Sequence, residues 1–478
     1  MNENRDHEAL LKGAAMSGIK DLDALAEFAA GLDVNKLAAP VRQSARACLL
    51  YGLSVGIATI RAATAKAAAA SLDADSVSGG SSSRFLDGKL ASRAGAAFAN
   101  GVLLSGRVQG DSHFCGHLGG VVIPATLAVA QATNASGAKT LAALIAAYEV
   151  SLRIGRDHGP DLSSRGFRTT PCYGVFGASV SAGKLFGFDA LKTMNAIRLG
   201  VNFAGGLREY VDAATEESPF QAGFAARNGL HVADLVAAGV TAAPSALHGK
   251  NGFYAAFGER GVDYGRRMSE GLGVEFEFTT VTFKQYPACQ WLRGLIRGMA
   301  ILCKEAGGGL PSDVEIRMNP FEADFVGVRH AGPFTSPTHT TMSAPFTAAL
   351  GWIYGTATYA GLRNYNDQKV LALVPRIRIV SDSSRRRYEP WLRVTTEKGA
   401  SFEWQDSRGQ GDYQISWDSA MMMTKQLAAE VGVSDANRDN LIRAVEGVEK
   451  APDISVVVGA VCAATAQARI EKSELDRR

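Results

Sequence analysis

Several residue patterns that mark large classes of protein are missing from this sequence. Its six cysteines are spread over a chain of 478 residues without any CxxC spacing. Disulfide frameworks, zinc ribbons and iron–sulfur clusters therefore have no support, and buried, reduced thiols are expected. GxGxxG and GxxxxGK[ST] motifs are also absent, so nothing in the sequence indicates a dinucleotide site or a P-loop.

An excess of one charge and long apolar runs are lacking as well. The formal net charge is +3 and the tightest basic run is residues 385–387, so no nucleic-acid partner is expected. The most apolar stretch, residues 121–132, is shorter than the about 20 residues that cross a bilayer. Residues 1–6 show no basic segment ahead of an apolar core. We therefore expect no secretory signal, no membrane partner and a cytoplasmic location.

Residues 8–272 carry the apolar periodicity of helices. Ala-rich segments with apolar residues at i, i+3 and i+4 alternate with glycine punctuation. The clearest helical segments are residues 40–55, 91–104, 125–132, 139–154 and 178–185. Glycine recurs inside such segments. Because glycine lowers helix propensity, its presence there predicts close contacts between helices.

The pattern changes after Gly273. Residues 274–278 alternate apolar and charged side chains, as a half-buried strand does. Further strands are predicted over 313–318, 376–380, 391–396 and 401–405, and helices over 290–305, 342–359, 421–431, 438–448 and 454–471. The sequence thus predicts a mainly α protein. Residues 1–272 and 416–478 are expected to form a discontinuous all-helical domain, and residues 273–415 an inserted α+β domain.

The densest polar cluster lies at residues 110–120. Asp111, Ser112, His113 and His117 stand among glycines between a helical run and an apolar one. Histidine titrates near neutral pH and suits proton transfer, and an aspartate can orient it or act itself. The alternative is a well-bonded turn between helices. Because glycine interrupts the two histidines and no glutamate stands between them, no metal is expected there.

Two further segments carry side chains suited to an anion. Arg168 and Thr169 precede a helical pattern, where a guanidinium fork and hydroxyls can bind a carboxylate. Lys284 and Tyr286 lie in residues 282–289, at the start of the second domain, and the lysine can serve as a cation or proton donor. Taken singly, the first segment is equally well a solvated loop and the second an ordinary surface lysine.

In this order and spacing, the three clusters resemble the MmgE/PrpD family, which includes 2-methylcitrate dehydratase, cis-aconitate decarboxylase and iminodisuccinate epimerase. The resemblance runs over nearly the whole chain. Among its colinear stretches are Ala99-Asn100-Gly101, Gly223-x-Ala225-Ala226-Arg227-Asn228-Gly229, Gly249-Lys250-Asn251-Gly252-Phe253 and Phe283-Lys284-x-Tyr286-Pro287-x-Cys289. It implies a helical domain with an inserted α+β lid, a homodimer, a pocket between the domains, and no metal or organic cofactor.

The resemblance also assigns individual positions. His117 matches the histidine of a His-Pro-Gly loop in the family, although leucine follows it here. Asp111 and Ser112 match the end of an Asp-Phe-Asp-Asp-Thr pattern, and Lys284 matches the lid lysine, with Cys289 as its frequent companion.

Four positions depart from the family pattern. The first Asp of Asp-Phe-Asp-Asp-Thr falls on Val108, or on Arg107 if the gap is placed differently. The His of Gly-Phe-His-Thr is Arg168, the Lys of Thr-Lys-Pro is Ser218, and a His after the lid cysteine is Arg293. Replacing His by Arg removes a group that titrates near neutrality and leaves a permanent cation.

The sequence therefore predicts a divergent lyase or isomerase that moves a proton next to a carboxylate or carbonyl of a small anionic substrate, without a cofactor. Dehydration, decarboxylation or epimerisation would result. Asp111 or His113 is the candidate base, His117 the acid or orienting group, and Lys284 the catalytic cation. The candidate substrate-binding residues are Ser112, Arg168, Thr169, Ser218, Gln221 and Tyr286.

The four catalytic candidates and Arg168 are expected to converge on one pocket between the two domains. Two alternatives stay open. One is a repurposed family member that acts as a cyclase or isomerase in secondary metabolism. The other is a non-catalytic binding or scaffold protein, which the four departures favour and the retained cluster at residues 110–120 opposes.

Overall fold

The computed structural model describes residues 20–74, 80–259 and 261–475. Over these residues the chain is mainly helical with a few short strands, so the predicted fold class is confirmed. Within the same residues no single helix is both long and apolar enough to cross a membrane, although one sharply bent pair of helices meets that criterion together. Residues 1–6, on which the expectation about a secretory signal rests, lie outside the described part.

The helices are numbered in chain order, beginning with α1 at residues 20–31. In the first half of the chain they are α2 (Ala39–Ala58), α3 (Ala63–Ala74), α4 (Arg93–Ser105), α5 (Gly119–Ala132), α6 (Gly137–Gly155), α7 (Gly159–Ser164), α8 (Thr169–Leu185), α9 (Ala190–Gly200), α10 (Glu209–Asp212), α11 (Ser218–Ala237) and α12 (Phe253–Phe257). In the second half they are α13 (Arg293–Glu305), α14 (Pro320–Ala323), α15 (Pro337–Met342), α16 (Ala344–Tyr354), α17 (Tyr359–Arg363), α18 (Gln368–Leu373), α19 (Trp417–Glu430), α20 (Asp435–Glu446) and α21 (Ser455–Leu475).

The strands form two sheets. β1 (Ser82–Ser83) and β2 (Leu90–Ala91) make a small antiparallel pair. The larger sheet consists of β3 (Pro311–Met318), β4 (Ile377–Ser381), β5 (Trp391–Thr396) and β6 (Ser401–Gln405), in the order β4-β3-β5-β6. β4 runs parallel to β3, and the other pairs are antiparallel. All four strands of this sheet overlap the strands predicted from the sequence.

Two main hydrophobic cores organise the chain. The first joins side chains between Leu22 and Phe283 with others between Ile415 and Ala468, and α19, α20 and α21 pack on α2. The second joins side chains between Tyr286 and Val394, where the larger sheet packs on α13 and α16. We call the part around the first core the body and the part around the second core the lid.

The strand predicted over residues 274–278 is wrong. Phe276 and Phe278 are both buried in the body, which accounts for the alternating pattern. The backbone N–H groups of Glu277 and Phe278 donate to the carboxylate of buried Glu149 at 2.9 and 3.2 Å, not to a neighbouring strand. The alternation of apolar and charged residues therefore results from the burial of the two phenylalanines and not from pairing with another strand. The chain leaves the first core only after Phe283, beyond the predicted domain boundary at residue 273.

The helix predicted over residues 342–359 is also shorter than expected. Only α16 falls within that range. Gly355 ends it with a φ of +70°, a left-handed conformation that favours glycine after the last helical turn.

Several glycines inside the body helices lie where two helices touch. A Cβ atom at Gly229 of α11 would lie 2.3 Å from the Cβ of Ala178 in α8. A Cβ atom at Gly177 of α8 would lie 2.6 Å from the carbonyl oxygen of Ala147 in α6. The predicted close contacts between helices are therefore confirmed.

We expect Gly229→Ala to lower the free energy of unfolding by about 1–3 kcal/mol, because the new methyl group must displace α8. Gly459→Ala is the matched control. Gly459 lies in α21, and a methyl group added to it would have nothing within 4 Å, so alanine's higher helix propensity should stabilise that variant by up to about 1 kcal/mol. Urea denaturation measures both changes, and equal effects at the two positions would contradict the packing argument.

Candidate active site

A cavity of about 160 Å³ lies where the body faces the lid. The body contributes the end of α4, the loop 106–118 and the starts of α8 and α11. The lid contributes residues 289–291 and part of α15. The polar residues that line the cavity include His117, Arg168, Thr169, Thr170, Arg208, Tyr210, Ser218, Lys284, Gln290, Thr338 and Thr341.

Backbone hydrogen bonds fix the loop 106–118 on both sides. The N–H of Ser112 donates to the carbonyl of Thr282 at 2.8 Å, and the N–H of Thr282 donates back at 2.9 Å. Gly116 has a φ of +113°, and a Cβ there would lie 2.7 Å from the backbone nitrogen of Thr170, so glycine is required at this turn. The N–H of His117 donates to Thr170 Oγ1 at 3.0 Å. His117 is thereby held between α8 and the segment that leads to the lid.

His117 presents an unprotonated ring nitrogen at the cavity. Its Nδ1 lies 2.6 Å from the carbonyl oxygen of Asp111. Because a carbonyl oxygen only accepts, Nδ1 carries the proton and Nε2 keeps a lone pair. Burial, together with the cations of Lys284 and Arg168, holds the pKa of His117 well below its usual 6.5. At neutral pH the ring is neutral and can act as a base.

Lys284 lies opposite that nitrogen. Its Nζ is 3.5 Å from Nε2 of His117 and donates to the carbonyl of Val108 at 3.0 Å. The Tyr51 hydroxyl accepts from the N–H of Lys284 at 3.1 Å and lies 2.8 Å from its carbonyl oxygen, which fixes the backbone. Burial, with Arg168 nearby, lowers the pKa of Lys284 to about 8. The group is therefore an ammonium at pH 7 that releases its proton more readily than an ordinary lysine.

Val108 is strained where it borders the cavity. Its φ is +57°, a conformation that β-branched residues rarely adopt. Its neighbour Arg107 is buried away from the cavity, with its guanidinium 2.8 and 3.0 Å from the carboxylate of Glu430 and 2.9 Å from the carbonyl of Ala58. Of the two positions aligned with the family's first Asp, Val108 is thus the one that lines the cavity.

Three cations reach the cavity without a carboxylate partner within the described part of the chain. Arg168 donates to the carbonyl of Ser218. Arg208 donates to the carbonyl and the hydroxyl of Ser163, both at 2.8 Å. Lys284 donates to a carbonyl, as described above. Uncompensated positive charge in a partly enclosed cavity favours an anionic ligand.

The structure brings together five of the residues singled out in the sequence. His117, Arg168, Thr169, Ser218 and Lys284 all line the cavity, although they come from separate segments of the body and the link to the lid. These five residues therefore lie together at one cavity. The roles assigned to them stay predictions.

Asp111 and Ser112 lie behind the cavity wall. Both carboxylate oxygens of Asp111 accept from the N–H of Gly119 at 3.0 Å, and Oδ2 accepts from the Tyr148 hydroxyl at 2.7 Å. Burial raises the pKa of Asp111 to about 6. The Ser112 hydroxyl donates to Gln290. In this position Asp111 holds the start of α5 and, through its own carbonyl, the ring of His117.

His113, Gln221 and Tyr286 are likewise outside the cavity lining. His113 is buried with its Nε2 3.7 Å from the carboxylate of Glu277, and burial lowers its pKa. Gln221 donates to a backbone carbonyl at 3.0 Å, and its Oε1 lies 3.4 Å from Nη1 of Arg168. Tyr286 packs in the lid core. The predicted meeting of Asp111 and His113 with the other groups in one pocket does not occur.

Sequence reasoning missed Arg208 and Tyr210. Both line the cavity, and they follow a Gly205-Gly206 pair in which Gly206 has a φ of +134°. That glycine pair ahead of charged and aromatic residues was the available signal. Thr338 and Thr341 of the lid also line the cavity. No sequence signal marks them, because a threonine in a short helix is unremarkable.

Residues 52–56 have the spacing GxSxG but are not a nucleophile elbow. They lie in the middle of α2 and not at a turn between a strand and a helix. The Ser54 hydroxyl donates to the carbonyl of Leu50 at 2.8 Å and lies 2.8 Å from Thr424 Oγ1. This serine therefore joins α2 to α19.

Among the residues that the structure describes, no group of three or more His, Cys, Asp or Glu side chains is placed to hold a metal ion. The cavity instead offers guanidinium, ammonium, imidazole and hydroxyl groups. Such a set is suited to a carboxylate ligand.

The model of the MmgE/PrpD N-terminal domain matches residues 23–263, half of the chain. The chain belongs to the MmgE/PrpD family. The matched part contains the loop 106–118 and the starts of α8 and α11, whereas Lys284 and the lid lie beyond it.

Three curated relatives of this family member carry related names. A cis-aconitate decarboxylase-like protein, oryM, of Aspergillus oryzae is 27% identical over 58% of this chain and 60% of its own length. The cis-aconitate decarboxylase of Homo sapiens is 27% identical over 40% of this chain and 41% of its own length. That of Mus musculus is 26% identical over 40% of both chains. The matches thus span less than two thirds of each relative.

We expect Val108→Asn to raise the free energy of unfolding by about 1 kcal/mol, because asparagine tolerates the left-handed conformation that strains valine. Val274→Asn is the control, since Val274 is 86% exposed and has no positive φ; it should change stability by less than about 0.5 kcal/mol. Thermal and urea unfolding of the two variants measure the difference. A loss of stability in Val108→Asn would show that packing of the valine outweighs its strain.

Proposed function

We propose that this protein is a cofactor-independent lyase or isomerase that moves a proton at the carbon next to a carboxylate of a small anionic substrate. The observation that carries the proposal is the 3.5 Å approach of Lys284 Nζ to the unprotonated Nε2 of His117 at a cavity with unpaired cations. One group is a base and the other an acid at the same pH.

In the proposed reaction, Nε2 of His117 removes the proton from the carbon next to the carboxylate. The electron pair left on carbon delocalises into the carboxylate and gives an enediolate. Lys284, Arg168 and Arg208 would stabilise that negative charge, since preorganised cations act most strongly where charge develops. Asp111 takes no proton in this scheme. It positions His117 through the 2.6 Å contact between its carbonyl and Nδ1.

The fate of the enediolate determines the reaction class. Expulsion of a hydroxyl group, protonated by Lys284, completes a dehydration. Return of a proton to the opposite face of the carbon completes an epimerisation. A decarboxylation does not pass through this enediolate: the bond between the carbon and its carboxylate breaks, carbon dioxide leaves, and the carbanion that keeps the electron pair takes its proton from Lys284. Dehydration and epimerisation use both the base and the acid, whereas decarboxylation uses only the acid, so the pair supports proton transfer at carbon without selecting the substrate.

The relatives' names favour the lyase outcome, because all three contain decarboxylase. The low identity and the departures at Val108, Arg168 and Ser218 favour a different substrate. A cyclase or isomerase activity stays the alternative that these departures support. A scaffold is less well supported, because a non-catalytic protein gains nothing from an imidazole and an ammonium held face to face. A homodimer and a cytoplasmic location stay predictions.

We expect His117→Asn and Lys284→Met each to reduce turnover by roughly 10²–10⁴-fold, the usual loss for one acid or base group. Asparagine can still donate to the Asp111 carbonyl, and methionine preserves the length of the lysine. The assay is deuterium uptake from D₂O at carbons next to carboxylates, followed by proton NMR over a panel of di- and tricarboxylic acids that includes cis-aconitate.

His231→Asn and Lys398→Met are matched controls for these variants, because both residues are exposed and outside the cavity lining. They should retain wild-type exchange. Undiminished exchange in a folded His117→Asn protein would contradict the proposed base. Failure of the wild-type protein to exchange any acid in the panel would favour the scaffold alternative.

The profile of kcat/KM against pH should have a single limb near neutrality, on the alkaline side. Lys284 is required as the acid, and its pKa is about 8, so kcat/KM should fall above pH 8 as the ammonium is lost. The pKa of His117 is well below 6.5, so no loss is expected between pH 8 and 6.5. Lys284→Arg should be slower and should lack the limb near pH 8, because arginine stays charged. An unchanged alkaline limb in that variant would assign it to another group.

A further inference from the structure

A second cavity adjoins the first. It has a volume of about 30 Å³ and extends between α17 of the lid and the loop 106–118 of the body. Val108, Ser218, Thr338 and Thr341 line both cavities. These four residues, which we call the junction, stand where the linings of the two cavities meet.

The two cavities differ in charge. The first contains the unpaired cations described above. In the second, each charged lining residue has a partner: Arg107 binds Glu430 at 2.8 Å, and Arg363 binds Glu216 at 2.9 Å. An ionic group placed in the second cavity would lose water without gaining a free counter-charge, which is unfavourable. This cavity is suited to an uncharged group.

The junction is also where two of the departures from the family pattern lie. Val108 stands at the position of the family's first Asp, and Ser218 at the position of the Lys in Thr-Lys-Pro. Both replacements remove a charge from the wall that the cavities share. The serine is also much shorter than a lysine. Neither replacement removes a contact of the pair formed by His117 and Lys284, because Lys284 donates to the backbone carbonyl of Val108 and not to its side chain.

We infer that the substrate carries, beside its carboxylate head, an uncharged aliphatic arm that passes Val108 and Ser218 into the second cavity. This inference rests on the proposed function, because the head is placed by the cations of the first cavity. A cavity of about 30 Å³ holds two or three water-sized groups. The arm is therefore short, with a branched group of a few carbons beyond the junction and apolar contact to Leu362 and Tyr359.

Three acids that share the same dicarboxylate head and differ only in the arm test the inference. Maleate has no arm, cis-aconitate is maleate with a carboxymethyl arm, and 2-isobutylmaleate has an arm with the same number of non-hydrogen atoms and no charge. Isothermal titration calorimetry at pH 7 measures the Kd of each. We expect the isobutyl acid to bind about 10-fold more tightly than maleate, since its arm is buried, and at least about 10-fold more tightly than cis-aconitate.

Ser218→Lys should abolish the preference for the isobutyl arm over the carboxymethyl arm, because it returns a cation to the junction. Ser218→Ala is the matched control and should keep the preference. Ser218 begins α11, where a substitution can impair folding, so Thr338→Lys on the lid side of the junction provides a second test. Thr338→Val is its control, with nearly the same shape and no charge.

The outcomes separate this inference from the proposed function. If maleate binds but cis-aconitate binds as well as the isobutyl acid or better, the uncharged arm is wrong and the anion site stands. If the preference exists but survives in folded Ser218→Lys and Thr338→Lys proteins, the arm does not pass this junction and the inference fails. If none of the three acids binds, the carboxylate head is not held as inferred and the inference fails, whereas the proposed function is decided separately by deuterium exchange over the full panel of acids.

Discussion

The antiparallel pairing of Ser112 with Thr282 is the contact on which the candidate site depends. It joins the loop 106–118 of the body to the segment that leads into the lid. Lys284 follows Thr282 by two residues, and its Nζ then lies 3.5 Å from Nε2 of His117. Because the body and the lid have separate cores, the register of this short pairing sets the distance between the two groups. A slip of one residue would turn Lys284 to the other side of its segment.

Burial lowers the pKa of both groups of this pair, with a different consequence for each. It disfavours charge on both groups, so it keeps His117 neutral and weakens the hold of Lys284 on its proton. Arg168 strengthens both effects by its positive charge. A bound anion would offset the mutual repulsion of the cations. An acidic substrate would therefore neutralise the excess positive charge of the site. The residues that carry this charge include those that would perform the chemistry.

The sequence revealed the elements of the site better than their orientation. Periodicity located the helices and the larger sheet, and residue chemistry selected His117, Lys284 and Arg168. Asp111 and His113 were as attractive in sequence, yet one caps α5 and the other lies against Glu277. The side of a loop to which a side chain turns depends on partners far away in the chain, such as Tyr148 and Thr282, which no local pattern encodes. For the same reason, residues 274–278 alternate like a strand although Glu149 takes the place of a partner strand.

The departures from the family pattern that line the cavity are of two kinds. Arg168 replaces a titrating group by a permanent cation, and Val108 and Ser218 replace charged groups by neutral ones at the junction. None of them touches the contact between His117 Nδ1 and the Asp111 carbonyl or the anchoring of Lys284 by Tyr51. In the proposed mechanism, proton transfer therefore needs only a single acid and base, and the rest of the wall is free to differ in charge and shape. If the proposed mechanism holds, divergence of this kind would alter which acid is bound and leave the proton-transfer pair unchanged.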